Sequence, residues 1–360
     1  MTDRREAVMT DTTIRQPPAV SEPAAGDGGA GRKRWIRGAV VAVAVLLVGL
    51  AVPHLGLDSY YMGLVLSGVI LALLSLSIGF LARRLGLISL GHTAFFGGSA
   101  YVLGIAVTHW GWSPMPAALF AFAAGTLLAL LMGVLVVRSS GMGFLMLTLA
   151  LGQALYQFST QSVARPYTGA YDGLQLQFGA DDTFLGMTAP QLMDAGLFWP
   201  VAWVALVVSA VALWAAGRSR FGTVLEGIRE NEERMRFSGY DTFVPRLAAF
   251  VLSGAVASLG GVLFALNAAY VSPEVLSFVK AGDSLIATIV GGMGTLLGPV
   301  VGALLYTYAQ ARFNVSGNLP LYTGGALVLV LLFLPGGVLG GLEALRRRLP
   351  FLPARKKDRT

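Results

Sequence analysis

The sequence predicts an all-α fold: a polytopic transmembrane helical bundle of about eight to ten membrane segments, some of them glycine-broken or re-entrant. Three observations carry that expectation. Hydrophobic residues make up 55% of the 360-residue chain and charged residues only 12%, far more apolar than the core of a soluble domain requires. Apolar runs of roughly 20 residues recur, each long enough to cross a hydrocarbon layer of about 30 Å as a helix. Lys and Arg gather at the edges of these runs, where positive charge marks the cytoplasmic side.

Residues 1–37 mix Arg, Asp, Pro, Gly and Thr without apolar periodicity and are expected to be a disordered cytoplasmic tail. The acidic residues there, and the lack of a small-residue cleavage site after the first apolar run, argue against a cleaved signal peptide. The membrane domain is expected over 38–341, with runs at 38–57, 60–82, 114–137, 141–160, 197–216, 247–266, 284–311 and 321–341, and further apolar sequence at 86–110. Residues 161–196, with the turn formers Pro166, Gly169, Asp172, Gly173, Gly179 and Gly186, form an extracytoplasmic loop. Residues 217–246 form a charged cytoplasmic segment, and 342–360 a basic cytoplasmic tail.

Arg32, Lys33, Arg34 and Arg37 place the N-terminus inside, and Arg83 and Arg84, Arg138, and Arg218 and Arg220 mark later returns to that side. The cluster Arg346, Arg347, Arg348, Arg355, Lys356 and Lys357 places the C-terminus inside as well. Two plain helices at 284–311 and 321–341 would leave that cluster outside. The stretch GGMGTLLGPVVG interrupts the first of them with five glycines and a proline, and a re-entrant pair of half-helices there restores the count.

Several chemistries are missing. Cys is absent, which removes disulfides and thiolate metal sites. His54, His92 and His109 form no HExxH pair, and neither a G-x-S-x-G elbow nor a GxxxxGK[ST] phosphate loop occurs. No catalytic residue, no metal site and no cofactor is therefore expected in this chain. The net charge of +7 sits at membrane edges and does not indicate nucleic acid. Proton- and sodium-coupled carriers often place ionisable residues within their spans. Here Asp58, Asp172, Glu274 and Asp283 read as edge or outside residues, so a pump of this sequence needs energy from elsewhere.

The stretch SRFGTVLEGIRENEERMRFSGYD, 219–241, holds with Arg218 five arginines and four glutamates at helical spacing. Glu226 with Arg229, Glu230 with Arg234, and Glu232 with Arg236 are the pairs that spacing allows. It reads as a short amphipathic helix ended near Gly239, either simply solvated or docked to a soluble partner. In ISLGHTAFFGGSAYV, the residues Ser89, Gly91, His92 and Thr93 mark a polar helix break, lining a pathway or packing tightly. Gly291, Gly292, Gly294, Gly298 and Pro299 mark a second break, where backbone groups either meet a substrate or close a tight crossing. Gly254, Ala257, Ser258 and Gly261 form a small-residue face for close helix packing.

Three blocks resemble the inner-membrane permease subunits of branched-chain amino acid ABC transporters, the LivM type. They are GLISLGHTAFFGGSAY, then SRFGTVLEGIRENEERMRFSGYD followed by AAFVLSGAVASLGGVLFA, then SLIATIVGGMGTLLGPVVGALLY, in the family's order and spacing over most of 63–341. The resemblance implies a bacterial plasma (inner) membrane protein with both termini cytoplasmic. Its implied partners are a second homologous permease, two cytoplasmic ATP-binding subunits that hold ATP and Mg, and an extracytoplasmic substrate-binding protein. It also implies that Arg218, Ser219, Arg220, Phe221, Gly222, Glu226, Arg229, Glu230, Asn231 and Glu232 form the ATPase-coupling element. The implied cargo is Leu, Ile and Val; relatives for urea, short amides or aromatic acids, and an ATP-independent facilitator or channel, are the alternatives.

Overall fold

The computed structural model describes residues 28–56, 58–179, 182–313, 324–325, 328 and 336–341. The expected tail 342–360, residues 1–27 of the expected N-terminal tail, and somewhat more than half of the expected run 321–341 lie outside them. The chain divides into two units, Met1–Val43 and Ala44–Thr360. Helix α1 (Gly28–Leu50) starts ahead of the expected residue 38. Ala, Arg and Lys are good helix formers, and an apolar helix once nucleated extends into them cheaply.

The long helices that follow are α2 (Ser59–Leu85), α3 (His92–Thr108), α4 (Pro114–Val136) and α5 (Gly141–Thr160). The expected loop 161–196 contains α6 (Arg165–Thr168), the two-residue strands β1 (Leu174–Gln175), β2 (Thr183–Phe184) and β3 (Met187–Thr188), and α7 (Ala189–Met193). Next come α8 (Ala195–Arg218), α9 (Arg220–Glu230), α10 (Glu232–Phe237) and α11 (Phe243–Ala268). Strand β4 (Tyr270–Val271), a 3-10 turn at Pro273–Leu276, α12 (Phe278–Gly291) and α13 (Gly298–Phe313) complete the described elements. Strand β1 pairs antiparallel with β4, and β2 with β3.

Among the described residues, five helices are long and apolar enough to cross a membrane: α2, α4, α5, α8 and α11. Their burial differs in a way that orders the bundle. Helix α2 buries 83% of its most apolar stretch and α5 only 17%. Helix α2 is the central post, packed against α8, α11, α12 and α13. Close approach there needs small residues: a Cβ on Gly79 would sit 2.4 Å from the Pro299 ring, and one on Gly68 would sit 2.9 Å from Leu304. At the other end of the bundle core, the Trp199 indole donates to the Gly49 carbonyl at 2.7 Å, tying α8 to the end of α1.

Two crossings are broken. Between α2 and α3, Gly86 ends α2 in the left-handed conformation (φ 69°), and a non-helical run leads to His92. The run 284–311 is a hairpin, the pair of half-helices that its glycines and proline allow. A Cβ on Gly291 would lie 1.8 Å from the Gly298 carbonyl oxygen, one on Gly302 would lie 1.9 Å from that of Ala287, and Tyr306 bonds Asp283. These three pairings make α12 and α13 antiparallel, so the chain returns to the side it left. The arms are 14 and 16 residues long. That is about 21 and 24 Å, short of a hydrocarbon layer of roughly 30 Å.

Candidate functional site

The charged segment folds as two helices rather than one. Ser219 is extended and leads α8 into α9 through a turn so tight that a Cβ on Gly222 would lie 2.2 Å from the Gly217 carbonyl oxygen. Helix α9 buries Gly222, Leu225 and Ile228 and exposes Arg220, Glu226, Arg229 and Glu230; Phe221 is half-buried. Asn231 breaks the run because its side chain accepts from the Arg234 N–H at 2.8 Å, capping α10.

Most of the predicted coupling charges are engaged within the chain. Glu226 pairs with Arg84 of α2, not with Arg229. Arg229 donates to the Arg83 carbonyl at 2.6 Å and lies over Gly86. Arg218 stacks over Trp214 with its guanidinium carbon 4.6 Å from a ring centroid. Glu232 does meet Arg236 at 2.8 Å, yet its stronger partner is Arg246 of α11, which it receives at 2.8 Å on both oxygens. Glu230 and Arg234 lie on different helices and form no salt bridge among the described residues.

The Glu232 site is a clamp. The Arg246 side chain is only 4% exposed, and its second nitrogen donates to the Ser139 carbonyl at 2.5 Å. Burial pushes the Glu232 carboxyl up, but Arg246, the Thr242 hydroxyl and Arg236 outweigh it, holding the group below the usual carboxylate range. A cleft of about 390 Å³ opens between this clamp, the end of α2 and the start of α5, lined by Gly86, Ser140, Arg229, Glu230, Glu232 and Arg246. Sequence reasoning passed over Phe237 and Tyr240, which are 91% and 54% exposed beside α10. Large aromatics left in water next to a charged helix were the available signal.

The first break is closed. The Ser89 hydroxyl accepts from the Gly91 N–H at 3.2 Å, and Thr93 donates to the Leu90 carbonyl at 3.4 Å. A Cβ on Gly91 would lie 2.7 Å from the Thr148 carbonyl oxygen of α5. His92 is fully buried, its Nε2 2.9 Å from the Ser253 hydroxyl and its ring edge-on to Phe95 and Phe250. The small-residue face of α11 sits beside it. A Cβ on Gly254 would lie 2.4 Å from Ala129 of α4, and one on Gly261 would lie 1.8 Å from the Phe96 carbonyl oxygen of α3. Ser258 receives the Ser99 hydroxyl at 2.8 Å, and Ala257 is fully buried.

The second break is held by other neighbours. Gly291 and Gly298 close the hairpin, and Pro299 fills the space left by Gly79. Gly292 turns the chain at φ 108°, with Gly336 so near that a Cβ would lie 2.5 Å from its carbonyl oxygen. Gly294 faces open space. The two groups of predicted pathway residues are thus seated on different helices, α5 and α11 for the first and α2 for the second. Among the described residues no group of three or more His, Asp or Glu side chains could hold a metal ion.

Residues 60–335 match the family described as branched-chain amino acid transport system, permease component. The chain is 28% identical over 296 residues to the high-affinity branched-chain amino acid transport system permease protein LivM of Escherichia coli, covering 75% of this chain and 68% of that protein. Similarity of the same extent relates it to LivM of Salmonella typhimurium. It is also 28% identical over 152 residues to the autoinducer 2 import system permease protein LsrC of Yersinia pseudotuberculosis, covering 39% of this chain and 42% of that protein. No solved structure matches the chain.

Proposed function

The chain belongs to the branched-chain amino acid transport permease family, and from that premise we propose that it is the membrane-spanning subunit of an ABC importer that carries leucine, isoleucine and valine into the cytoplasm. Two cytoplasmic ATP-binding subunits, holding ATP and Mg, supply the energy. A second homologous permease completes the membrane unit, and an extracytoplasmic binding protein delivers the cargo. The protein resides in the bacterial inner membrane with both termini cytoplasmic.

The observation that carries this reading is the mounting of α9 and α10. Their inner sides are fixed to membrane helices by Arg84 with Glu226, Arg229 with the Arg83 carbonyl, and Glu232 with Arg246. Their outer side leaves Arg220, Glu230, Arg234 and Phe237 exposed. A partner that grips the outer side moves α2 and α11 through the inner contacts, which is how a cytoplasmic closure becomes alternating access. Helix α5, the least apolar and least buried of the five long helices, is a poor face for lipid and a suitable one for the second permease.

The substrate assignment follows the longer similarity, to the two LivM proteins; the LsrC similarity covers a shorter stretch and carries a different cargo name. Uptake of labelled leucine into vesicles holding the chain and its partners tests the proposal. Uptake is expected only with ATP, and replacing Glu230 and Phe237 by Ala is expected to release the ATPase while the permease stays folded. Leucine uptake without ATPase would make the chain a facilitator. Uptake of urea, an amide or an aromatic acid in its place would overturn the cargo.

A further inference from the structure

A mixed-charge cluster lies at the open end of the hairpin, where the sequence places an edge residue. After β4 the chain runs inward through the 3-10 turn Pro273–Leu276, whose Val275 and Leu276 lie against Gly97 of α3. Helix α12 therefore opens within the bundle, capped by the Ser277 hydroxyl, which accepts from the Lys280 N–H at 3.2 Å. Lys280 is in the first turn and Asp283 one turn further. The carbonyl of the neighbouring Ser284 accepts from the Ser75 hydroxyl of α2 at 3.3 Å. Ser75 is 16 residues from Ser59 and 10 from Leu85, so the cluster stands about 24 and 15 Å from the ends of α2.

The Asp283 carboxylate is held by one oxygen: the Tyr306 hydroxyl donates to Oδ1 at 2.5 Å. Its other oxygen takes no side-chain donor among the described residues. Lys280 is only part-exposed, and its ammonium makes no hydrogen bond or salt bridge among the described residues. Ionisable side chains at this depth are costly unless a counter-charge or a wet pathway accompanies them. An ammonium and a carboxylate one turn apart, each with capacity to spare, beside a helix N-terminus that favours anions, fit a ligand carrying both charged groups on one carbon.

We propose that Lys280, Asp283 and the first turn of α12 recognise the zwitterionic end of an α-amino acid in transit. The carboxylate of the amino acid meets Lys280 and the helix N-terminus, and its ammonium meets the free oxygen of Asp283. Tyr306 is a positioning residue that fixes the Asp283 rotamer. The exposed Phe278 and Val279 offer an apolar surface to the amino acid side chain. The proposal rests on the importer reading and deepens it, since a neutral amide or urea has no use for this pair.

Heat stabilisation of the solubilised full chain by leucine, by leucinamide, which lacks the carboxylate, and by the α-keto analogue of leucine, which lacks the ammonium, tests it. Leucine is expected to stabilise the unaltered protein more than either analogue. Lys280→Met is expected to raise the half-saturating leucine concentration roughly tenfold or more and to abolish the preference over leucinamide. Asp283→Asn is expected to abolish the preference over the α-keto analogue, and Lys280→Arg to retain both preferences. An equal response of the unaltered protein to all three compounds overturns the site. So do charge variants that melt earlier but keep both preferences, because that is the behaviour of a structural clamp. The readout needs no ATPase, so a failure of ATP-driven uptake counts against the importer reading alone.

Discussion

The two broken crossings use the same backbone device and treat their polar groups in opposite ways. At the break before α3, Ser89, Thr93 and His92 are turned inward, and their hydrogen bonds end on Gly91, Leu90 and Ser253. In the hairpin that the second break closes, at the start of α12, Lys280 has no bonded partner among the described residues and Asp283 keeps one oxygen free. The first group is fully buried, out of reach of a ligand, and only the His92 Nδ1 lacks a partner there, whereas Lys280 and Asp283 are charged and part-exposed, so that a ligand can meet their spare capacity. The contrast makes the first break a packing joint and the open end of the hairpin a recognition site, although the residue types, with a histidine at the first, suggest the reverse.

The hairpin is the part whose loss costs most. Gly291→Leu would force a side chain where the Cβ alone lies 1.8 Å from the Gly298 carbonyl oxygen. Backbone cannot yield as a flexible side chain does, so overpacking of several kcal/mol is expected, visible as loss of a monodisperse solubilised protein. A stable, transporting variant would show that the arms separate freely and would remove the frame around Lys280 and Asp283.

Next in size is the clamp beneath the first break. Glu232→Ala leaves the Arg246 charge, 4% exposed, with only the Ser139 carbonyl. A cost on the order of 3 kcal/mol is expected, read as a lower melting temperature. The folded carboxyl lies below its ordinary value, so its stabilising contribution is complete above the unfolded carboxylate range and is lost as pH falls through the folded pKa. The melting difference between the unaltered protein and Glu232→Gln should therefore shrink on acidification. A difference that grows would mean that the pair is not clamped as described.

Smaller again is Ser253→Ala, which removes the one side-chain hydrogen bond to His92 among the described residues. About 1 to 2 kcal/mol of stability is expected to go, with leucine preference intact. A changed preference would place the first break in the pathway and collapse the distinction between the two.

The sequence carried the fold class, because apolar run length and charge at the edges are local signals. It also carried the second break, since five glycines and a proline cannot continue a packed helix undisturbed. It misread the partners of Glu226, because spacing along a helix sees Arg229 three residues on and cannot see Arg84 on α2. It read Asp283 as an edge residue for a related reason. Hydropathy starts the apolar run at Ser284, but Ser277 caps the helix earlier and the 3-10 turn carries the chain inward before any apolar run begins. The Ser277 to Lys280 spacing, a cap followed by a charge in the first turn, was the legible hint. The bonded state of His92 depends on Ser253, far away in sequence, and no local pattern reports it.

The division of labour between the first break and the open end of the hairpin is tested most directly by the half-saturating concentration for leucine uptake in vesicles holding the complete transporter, compared between Lys280→Met and Ser253→Ala. A rise of roughly tenfold or more is expected for Lys280→Met and no change for Ser253→Ala. An equal shift in both, or a shift in Ser253→Ala alone, would contradict the assignment of amino acid recognition to the start of α12.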